Sequence, residues 1–286
     1  MTNDDDGRRL LVSDNELLLG VETAYPTSYS ADWLCSIPRA QGREILGISA
    51  ALPFSGFDLW TAYELSWLDP KGKPVVAVAD ISIPCDTESL VESKSLKLYL
   101  NSINQERYRS VQEVISILET DLSECVKGPV LVDIHTPENF RHRGLSLFPG
   151  VCLDDMDIDM VIDTFQPDPS LLRLNERGGV VSESFYSHLL KTNCPVTGQP
   201  DWASILIRYT GWPIEPEGLL KYIISYRNHQ GFHEQCVEQI FAEVNELCQP
   251  DELEVYARYT RRGGLDINPY RSSQKMTPPK LRLFRQ

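Results

Sequence analysis

Two runs rich in β-branched and aromatic residues, 61–68 and 74–84, flank the segment Asp69-Pro70-Lys71-Gly72-Lys73. Proline and glycine make that segment a turn, so the three pieces predict a β-hairpin. The apolar period then lengthens. A helix is expected over 92–102 and another over about 106–125, with Val111, Val114, Ile115 and Leu118 on one face. A short apolar strand follows at 129–136, and a last strand near Val151 would complete the unit. The same order returns later: a strand at 202–212 with Ile205, Ile207 and Tyr209 apolar, helices at about 217–226 and 232–248, and a strand at 252–259. Residues 1–55 read as an irregular arm, because Pro, Gly and Ser interrupt every periodic run. Residues 137–190 show no clear period. The basic, proline-containing tail 272–286 would add an edge strand or stay loose.

The two halves can be laid on each other without gaps. A shift of 123 residues sets Glu92 on Glu215, Leu96 on Leu219, Tyr99 on Tyr222, Ser102 on Ser225, Gln112 on Gln235, Val114 on Val237, Ile117 on Ile240 and Val132 on Val255. Identities at matching places in matching elements indicate two copies of one supersecondary unit.

The copies differ in their chemistry. Glu92-Ser93-Lys94-Ser95-Leu96-Lys97 faces Glu215-Pro216-Glu217-Gly218-Leu219-Leu220, which has lost both lysines and both serines. Phe232-His233-Glu234 faces Arg109-Ser110-Val111, which has no such titratable pair. A single site divided between two copies would leave this pattern, and so would drift in a structural duplication. Read without context, each motif is also a helix start with an acidic residue in its first turn.

Asn193-Cys194-Pro195-Val196-Thr197-Gly198-Gln199-Pro200-Asp201 adds a thiol and a carboxylate on either side of a turn fixed by Pro and Gly. A covalent enzyme needs a nucleophile beside an acid or base, and this string can supply both. A buried structural cysteine in a turn is the alternative.

Composition narrows the field. With 286 residues, 42% of them hydrophobic, the chain can fill two modules and their cores. A net charge of −14 argues against a general binder of nucleic acid or anionic membrane. Lys94, Lys97, Arg261 and Arg262 are the candidates for a local basic pocket. The cysteine count of seven is odd and no C-x-x-C occurs, so neither a disulfide framework nor a zinc knuckle is expected. Residues 1–9 lack an apolar signal core and no run approaches a membrane span, which makes the cytoplasm the simplest compartment. The acidic run Asp154, Asp155, Asp157 and Asp159 lacks the glycine and closing glutamate of a calcium loop and reads as a solvated loop or strand edge. No G-x-G-x-x-G follows a strand, so a Rossmann site is not supported.

Three motifs, ESKSLKLYLNS at 92–102, CPVTGQPD at 194–201 and FHE at 232–234, resemble those of the nitrile reductases that convert 7-cyano-7-deazaguanine to 7-aminomethyl-7-deazaguanine for the queuosine modification of tRNA. The resemblance spans about 50–270 and is closest to the long, two-module class. It implies an α+β tunnelling fold (T-fold) in tandem, each module an antiparallel sheet backed by two helices: an arm at 1–55, a first module at 56–150 and a second at 151–286. It further implies Cys194 as the nucleophile that forms a thioimide and Asp201 as the proton donor. Val91, Glu92, Ser93, His233 and Glu234 would bind the substrate, and Ser93, Lys94, Arg262 and Gly263 would bind NADPH, with no metal. The partner implied is a small deazapurine rather than nucleic acid or membrane, and the assembly implied is a homodimer.

Two other readings remain at this level. A cyclohydrolase-like or pterin enzyme would need a zinc site of which Cys194 and His233 supply only part. A non-catalytic purine-binding protein would keep its ligand after loss of Cys194.

Overall fold

The computed structural model describes residues 25–48, 51–140, 144–160, 165–175 and 179–286. In chain order it has β1 (Ser36–Pro38), α1 (Arg39–Ile45), β2 (Ser55–Leu68), β3 (Pro74–Pro84), β4 (Ser89–Val91), α2 (Ser93–Ser102), α3 (Val111–Val126), β5 (Leu131–His135), α4 (Pro137–Phe140) and β6 (Val151–Cys152). The second half supplies β7 (Val181–Asn193), β8 (Pro200–Gly211), α5 (Pro216–Ser225), α6 (His233–Cys248), β9 (Glu252–Tyr259) and β10 (Leu265–Ser272). This is an α+β protein of two antiparallel modules, each carrying a helix pair on one face of its strands.

The modules share one eight-stranded sheet of order β5-β3-β2-β10-β9-β8-β7-β6. β10 joins them by pairing with β2 along its length, from Leu265↔Ala62 to Ser272↔Ser55. That contact is close: a Cβ on Gly56, at φ +151°, would come within 2.0 Å of the Tyr270 carbonyl oxygen. On the helix side, one core sets Leu96, Tyr99, Val114 and Leu118 against Trp60, Ala79 and Ile81. A second sets Leu219, Tyr222, Val237 and Phe241 against Ile205, Ile207 and Val255. The opposite face is thinner, with Leu59, Phe148, Leu206, Tyr256 and Tyr270 covered by Leu283 of the tail.

The repeat extends to individual bonds. Ser102 Oγ donates to the Tyr99 carbonyl and Ser225 Oγ to that of Tyr222, each at 2.6 Å. Tyr99 hydroxyl donates to Asp121, and Tyr222 hydroxyl to Glu243. α3 and α6 both end in a left-handed cap residue, Lys127 and Gln249. Both modules also break register in their first hairpin, between Ala62 and Leu65 and between Ser187 and Leu190.

Several elements depart from expectation. α3 begins at Val111 rather than near 106, because Ser110 caps it by accepting from Glu113 N–H, while Tyr108 N–H donates to Leu68 O. The strand near Val151 forms, but it pairs in parallel with β7 and so lies at the far edge of the second module. β10 is the strand that lies beside β2, on the side away from β3. The tail adds no strand. The arm is not wholly irregular: it contains β1 and α1, and the part of it before residue 25 lies outside the described residues. From α1, Arg39 reaches Asp58 of β2 at 2.7 Å and Arg43 reaches Glu238 of α6 at 2.8 Å.

Candidate active site

β7 ends at Asn193, and Cys194 opens the loop to β8. Cys194 N–H donates to Gln199 O at 2.9 Å and Gly198 N–H to Cys194 O at 3.0 Å, with Gly198 at φ +67°. The loop is thus a closed turn of the kind its proline and glycine predict. Asp201 lies in β8 opposite Thr192. The segment before α6 is tied to the same strand end: Asn193 N–H donates to His229 O at 2.8 Å and Gly231 N–H to Asn193 O at 3.2 Å. Those bonds bring Phe232, His233 and Glu234 beside Cys194, although 38 residues separate Cys194 from Phe232 in the chain.

The first module closes the other side. β1 pairs with β4, Ser36↔Val91, and Glu92 N–H donates to Cys35 O at 2.8 Å. This brings Val91 and Ser93 to the seam between modules. The resulting pocket is lined by Val91 and Ser93 from the first module and by Cys194, Asp201, His233, Glu234 and Arg262 from the second. Trp60, Leu90, Gly231 and Ile267 add apolar or featureless wall. An adjoining space shares Ser93, His233 and Arg262 and adds Lys97 and Thr260.

Three expected residues, Glu92, Lys94 and Gly263, are not on the wall of this pocket. The Glu92 carboxylate caps α2, accepting from Lys94 N–H at 2.8 Å and Ser95 N–H at 2.7 Å, so the helix-start reading of this residue holds. Lys94, in the first turn of α2, is partly buried but does not line the pocket. Arg262 and Gly263 open a four-residue turn into β10. Arg262 N–H donates to Leu265 O at 2.9 Å, and Gly263 and Gly264 have φ of +56° and +76°. Positive φ at both central positions selects glycine there. A Cβ on Gly263 would meet the Lys97 side chain at 3.2 Å. Of the four basic candidates, Arg261 is exposed and lies over the Tyr63 ring at 4.7 Å.

Burial dominates the electrostatics. It raises the Asp201 carboxyl to about 6, against the opposing pull of Arg262, Lys97 and Lys191. Arg262 Nη2 is 2.9 Å from Asp201 Oδ1, while Nη1 donates to Gln199 Oε1; among the described residues Oδ1 accepts no hydrogen bond. His233 is held far below its usual range, at about 3, by burial and then by Arg262 and Lys97, so it is neutral at pH 7. Its Nε2 is 3.7 Å from Asp201 Oδ1. Burial and then the neighbouring Asp58 charge raise Glu234 to about 8. Asp58 itself is held low by Arg271 and Arg39, so within this buried pair Asp58 keeps the charge and Glu234 the proton. Burial and Arg262 lower Lys97, which also lies in electrostatic reach of Glu92, Asp201 and Cys194.

The site therefore combines a thiol, a carboxyl that burial brings near neutrality, a neutral imidazole, a second carboxyl from the same module, and two clustered cations. Clustered, half-buried cations suit a phosphate-bearing ligand. Trp60 was not legible in the sequence as part of the site, since an aromatic residue inside a strand reads as core. Its indole nitrogen is buried and has no hydrogen-bond partner among the described residues. Gln199, which holds both Cys194 and Arg262, lies inside the CPVTGQPD string, but its spacing alone did not mark it.

Known proteins resemble the chain along most of its length. Residues 25–134 match the family described as nitrile reductase, 7-cyano-7-deazaguanine-reductase N-term, and residues 200–278 match the family described as QueF-like protein. A protein of Bordetella pertussis named NADPH-dependent 7-cyano-7-deazaguanine reductase is 51% identical over 261 residues, covering 91% of this chain and 94% of that one. A protein of the same name from Azoarcus sp. is 53% identical over 258 residues, covering 90% of each. The archaeosine synthase QueF-Like in its apo form, a solved structure, aligns over 35% of this chain and 99% of its own at 16% identity, with a TM-score of 0.30.

Proposed function

This chain belongs to the nitrile reductase family of the NADPH-dependent 7-cyano-7-deazaguanine reductases, and we propose that it reduces the nitrile of 7-cyano-7-deazaguanine to the aminomethyl group, through a thioimide on Cys194, for queuosine biosynthesis in the cytoplasm. The observation that carries this reading is the meeting of Cys194, Asp201 and Glu234 around one pocket at the module seam.

In this reading Cys194 Sγ bonds to the nitrile carbon as one C–N π bond breaks. Asp201 delivers a proton to the nitrogen, and the thiol proton replaces the one it gave. A carboxyl at about 6 retains a protonated fraction at neutral pH and can be recharged for later transfers. Neutral His233, whose Nε2 is 3.7 Å from Asp201 Oδ1, would contact the substrate and assist proton transfer. Ionised Glu234 accepts from the N–H and amino groups of the guanine-like edge. Val91 and Ser93 form the facing wall, and Glu92 holds that wall by capping α2.

NADPH fits the donor set beside this pocket. Lys97 and Arg262 are two cations held together by the fold, and Gly263 leaves the face of Lys97 uncovered. Ser93, Lys94, Lys97, Arg262 and Gly263 would hold the cofactor, with the cations against its phosphates. When bound, NADPH supplies hydride, two of which account for the four-electron change from nitrile to amine.

We further propose a homodimer formed through the sheet edges, supported by exposed Leu131 on β5 and exposed Leu145 and Leu147 ahead of β6. Sedimentation velocity distinguishes that assembly from a monomer. Among the described residues no helix is long and apolar enough to cross a membrane.

The test mixes the protein with 7-cyano-7-deazaguanine and NADPH and follows cofactor oxidation. Two NADPH consumed per amine, and none with Cys194→Ala, is the expected result. No oxidation by the wild type would overturn the assignment.

A further inference from the structure

We propose that Cys152, Asp154 and His188 form a divalent-metal site, best suited to zinc, that is separate from the nitrile-binding pocket and fastens the two-residue strand β6 to the bulge of β7. Donor atoms from the three residues lie within 4.8 Å of one another. Zinc bonds of about 2.0–2.3 Å set neighbouring donors roughly 3–4 Å apart, so these three need to draw in by about an ångström. Thiolate, imidazole and carboxylate together form a donor set that zinc accepts and that magnesium or calcium would not select.

The surroundings already hold the ligands in place. His188 Nδ1 shares a hydrogen bond of 2.7 Å with Ser204 Oγ, and among the described residues nothing engages Nε2. One imidazole nitrogen held by a hydroxyl with the other left open is the arrangement that orients a metal-binding histidine. The Asp154 carboxylate accepts from Ser187 Oγ at 2.6 Å and from His188 N–H at 2.9 Å, which points it back at the same bulge. The bulge itself, between Ser187 and Leu190, turns His188 out of the regular ladder. Tyr186 and Phe284 stand edge-on to the imidazole, each 5.4 Å away.

Asp154 therefore leaves the exposed acidic run, whose other members Asp155, Asp157 and Asp159 face solvent. One charge opposes a cation: Arg285, whose guanidinium feels Asp154 while donating to the His188 carbonyl at 2.7 Å. The same contact links the C-terminal tail to the site, so an ion here would tie together β6, β7 and the tail. Three protein ligands leave one position of a tetrahedral ion for water.

The test strips the full-length protein with EDTA, adds Zn²⁺ alone and counts bound metal. Co²⁺ then replaces Zn²⁺ so that a thiolate-to-cobalt absorption band can be read. The expected result is one equivalent in the wild type and in Cys194→Ser, with the band present in both. Affinity should fall roughly a hundredfold or more in Cys152→Ser and roughly 10–100-fold in Ser204→Ala. Ser204→Ala removes no ligand and carries the same reading should Cys152→Ser misfold by circular dichroism. Metal uptake that disappears with Cys194→Ser, or that neither Cys152→Ser nor Ser204→Ala weakens, or no uptake by the wild type, would overturn the site.

Discussion

The Arg262 guanidinium stands 2.9 Å from the Asp201 carboxylate, yet the carboxyl is raised to about 6. Desolvation outweighs the ion pair: Nη1 of Arg262 donates to Gln199, and Nη2, the nitrogen nearest Asp201, gives Oδ1 charge without a hydrogen bond. Removing the charge should raise Asp201 further. In Arg262→Leu, the alkaline limb of kcat against pH, which needs protonated Asp201, should move up by roughly one unit. The KM for NADPH should rise in the same variant. A limb that stays in place would show that Arg262 does not tune the acid.

Asp201 and Glu234 also bear on stability, with a definite sign. Both have folded-state values, about 6 and about 8, above their ordinary 3.8 and 4.5. Each therefore favours the fold at low pH, and its contribution is lost as pH rises through the folded value. Asp201→Asn and Glu234→Gln should each raise the thermal midpoint at pH 8.5, by the equivalent of about 1–3 kcal/mol, and change it little at pH 4. Both should impair turnover. Equal midpoints at pH 8.5 would mean that water reaches these carboxyls.

Binding a guanine-like edge requires the ionised form of Glu234, so a proton must leave as the ligand arrives. Calorimetry in buffers of different ionisation heat should show fractional proton release near pH 7, and affinity should fall as pH drops below about 8. Glu234→Gln should weaken binding roughly 10–100-fold and abolish the proton release. Proton release that persists in the variant would assign it to another group.

What the sequence disclosed follows from where its signals lie. The CPVTGQPD turn, the FHE helix start and the repeat were legible because turn residues and helix caps act locally, and these motifs occupy a hairpin loop and a helix N-terminus. β7 was not legible, since Ser182, Glu183, Ser184, Ser187, His188 and Lys191 interrupt its apolar pattern. β10 was hidden more deeply. Pro269 has no N–H for the ladder, and Asn268 substitutes with its side chain, accepting from Tyr259 N–H and donating to the Leu59 carbonyl. The seam itself depends on β10 lying between β9 and β2, a long-range pairing that no local pattern encodes.

The capping role of Glu92 can be separated from any contact with ligand by using the repeat as a control. Glu92 accepts two backbone N–H bonds at the start of α2, whereas its counterpart Glu215 makes no side-chain cap at the start of α5. Glu92→Ala should cost about 1–2 kcal/mol and Glu215→Ala a few tenths at most, measured by urea unfolding. Glu92→Asp should recover most of the loss, because aspartate also caps. Should Glu92→Ala leave stability intact while binding fails, the carboxylate would belong to the ligand and not to the helix.

The buried charges behind the pocket supply the largest expected effect. Arg271 is fully buried and lies 2.8 Å from both Asp58 and Glu238, while Arg39 and Arg43 hold the outer sides of the same two carboxylates. Deleting the central cation removes the one charge that both carboxylates share and leaves Asp58 with Arg39 alone and Glu238 with Arg43 alone, so Arg271→Met should destabilise by about 3–5 kcal/mol. The anions would then repel across the space once occupied by the guanidinium, and Glu234, already raised by Asp58, would lose a neighbouring cation and rise further. Adding Glu238→Gln to Arg271→Met removes one of the two facing anions, ends their mutual repulsion and should recover part of the stability. Urea unfolding of the single and double variants measures that coupling. A double variant no more stable than Arg271→Met alone would mean that Arg271 acts through packing between β10 and α6 rather than through charge.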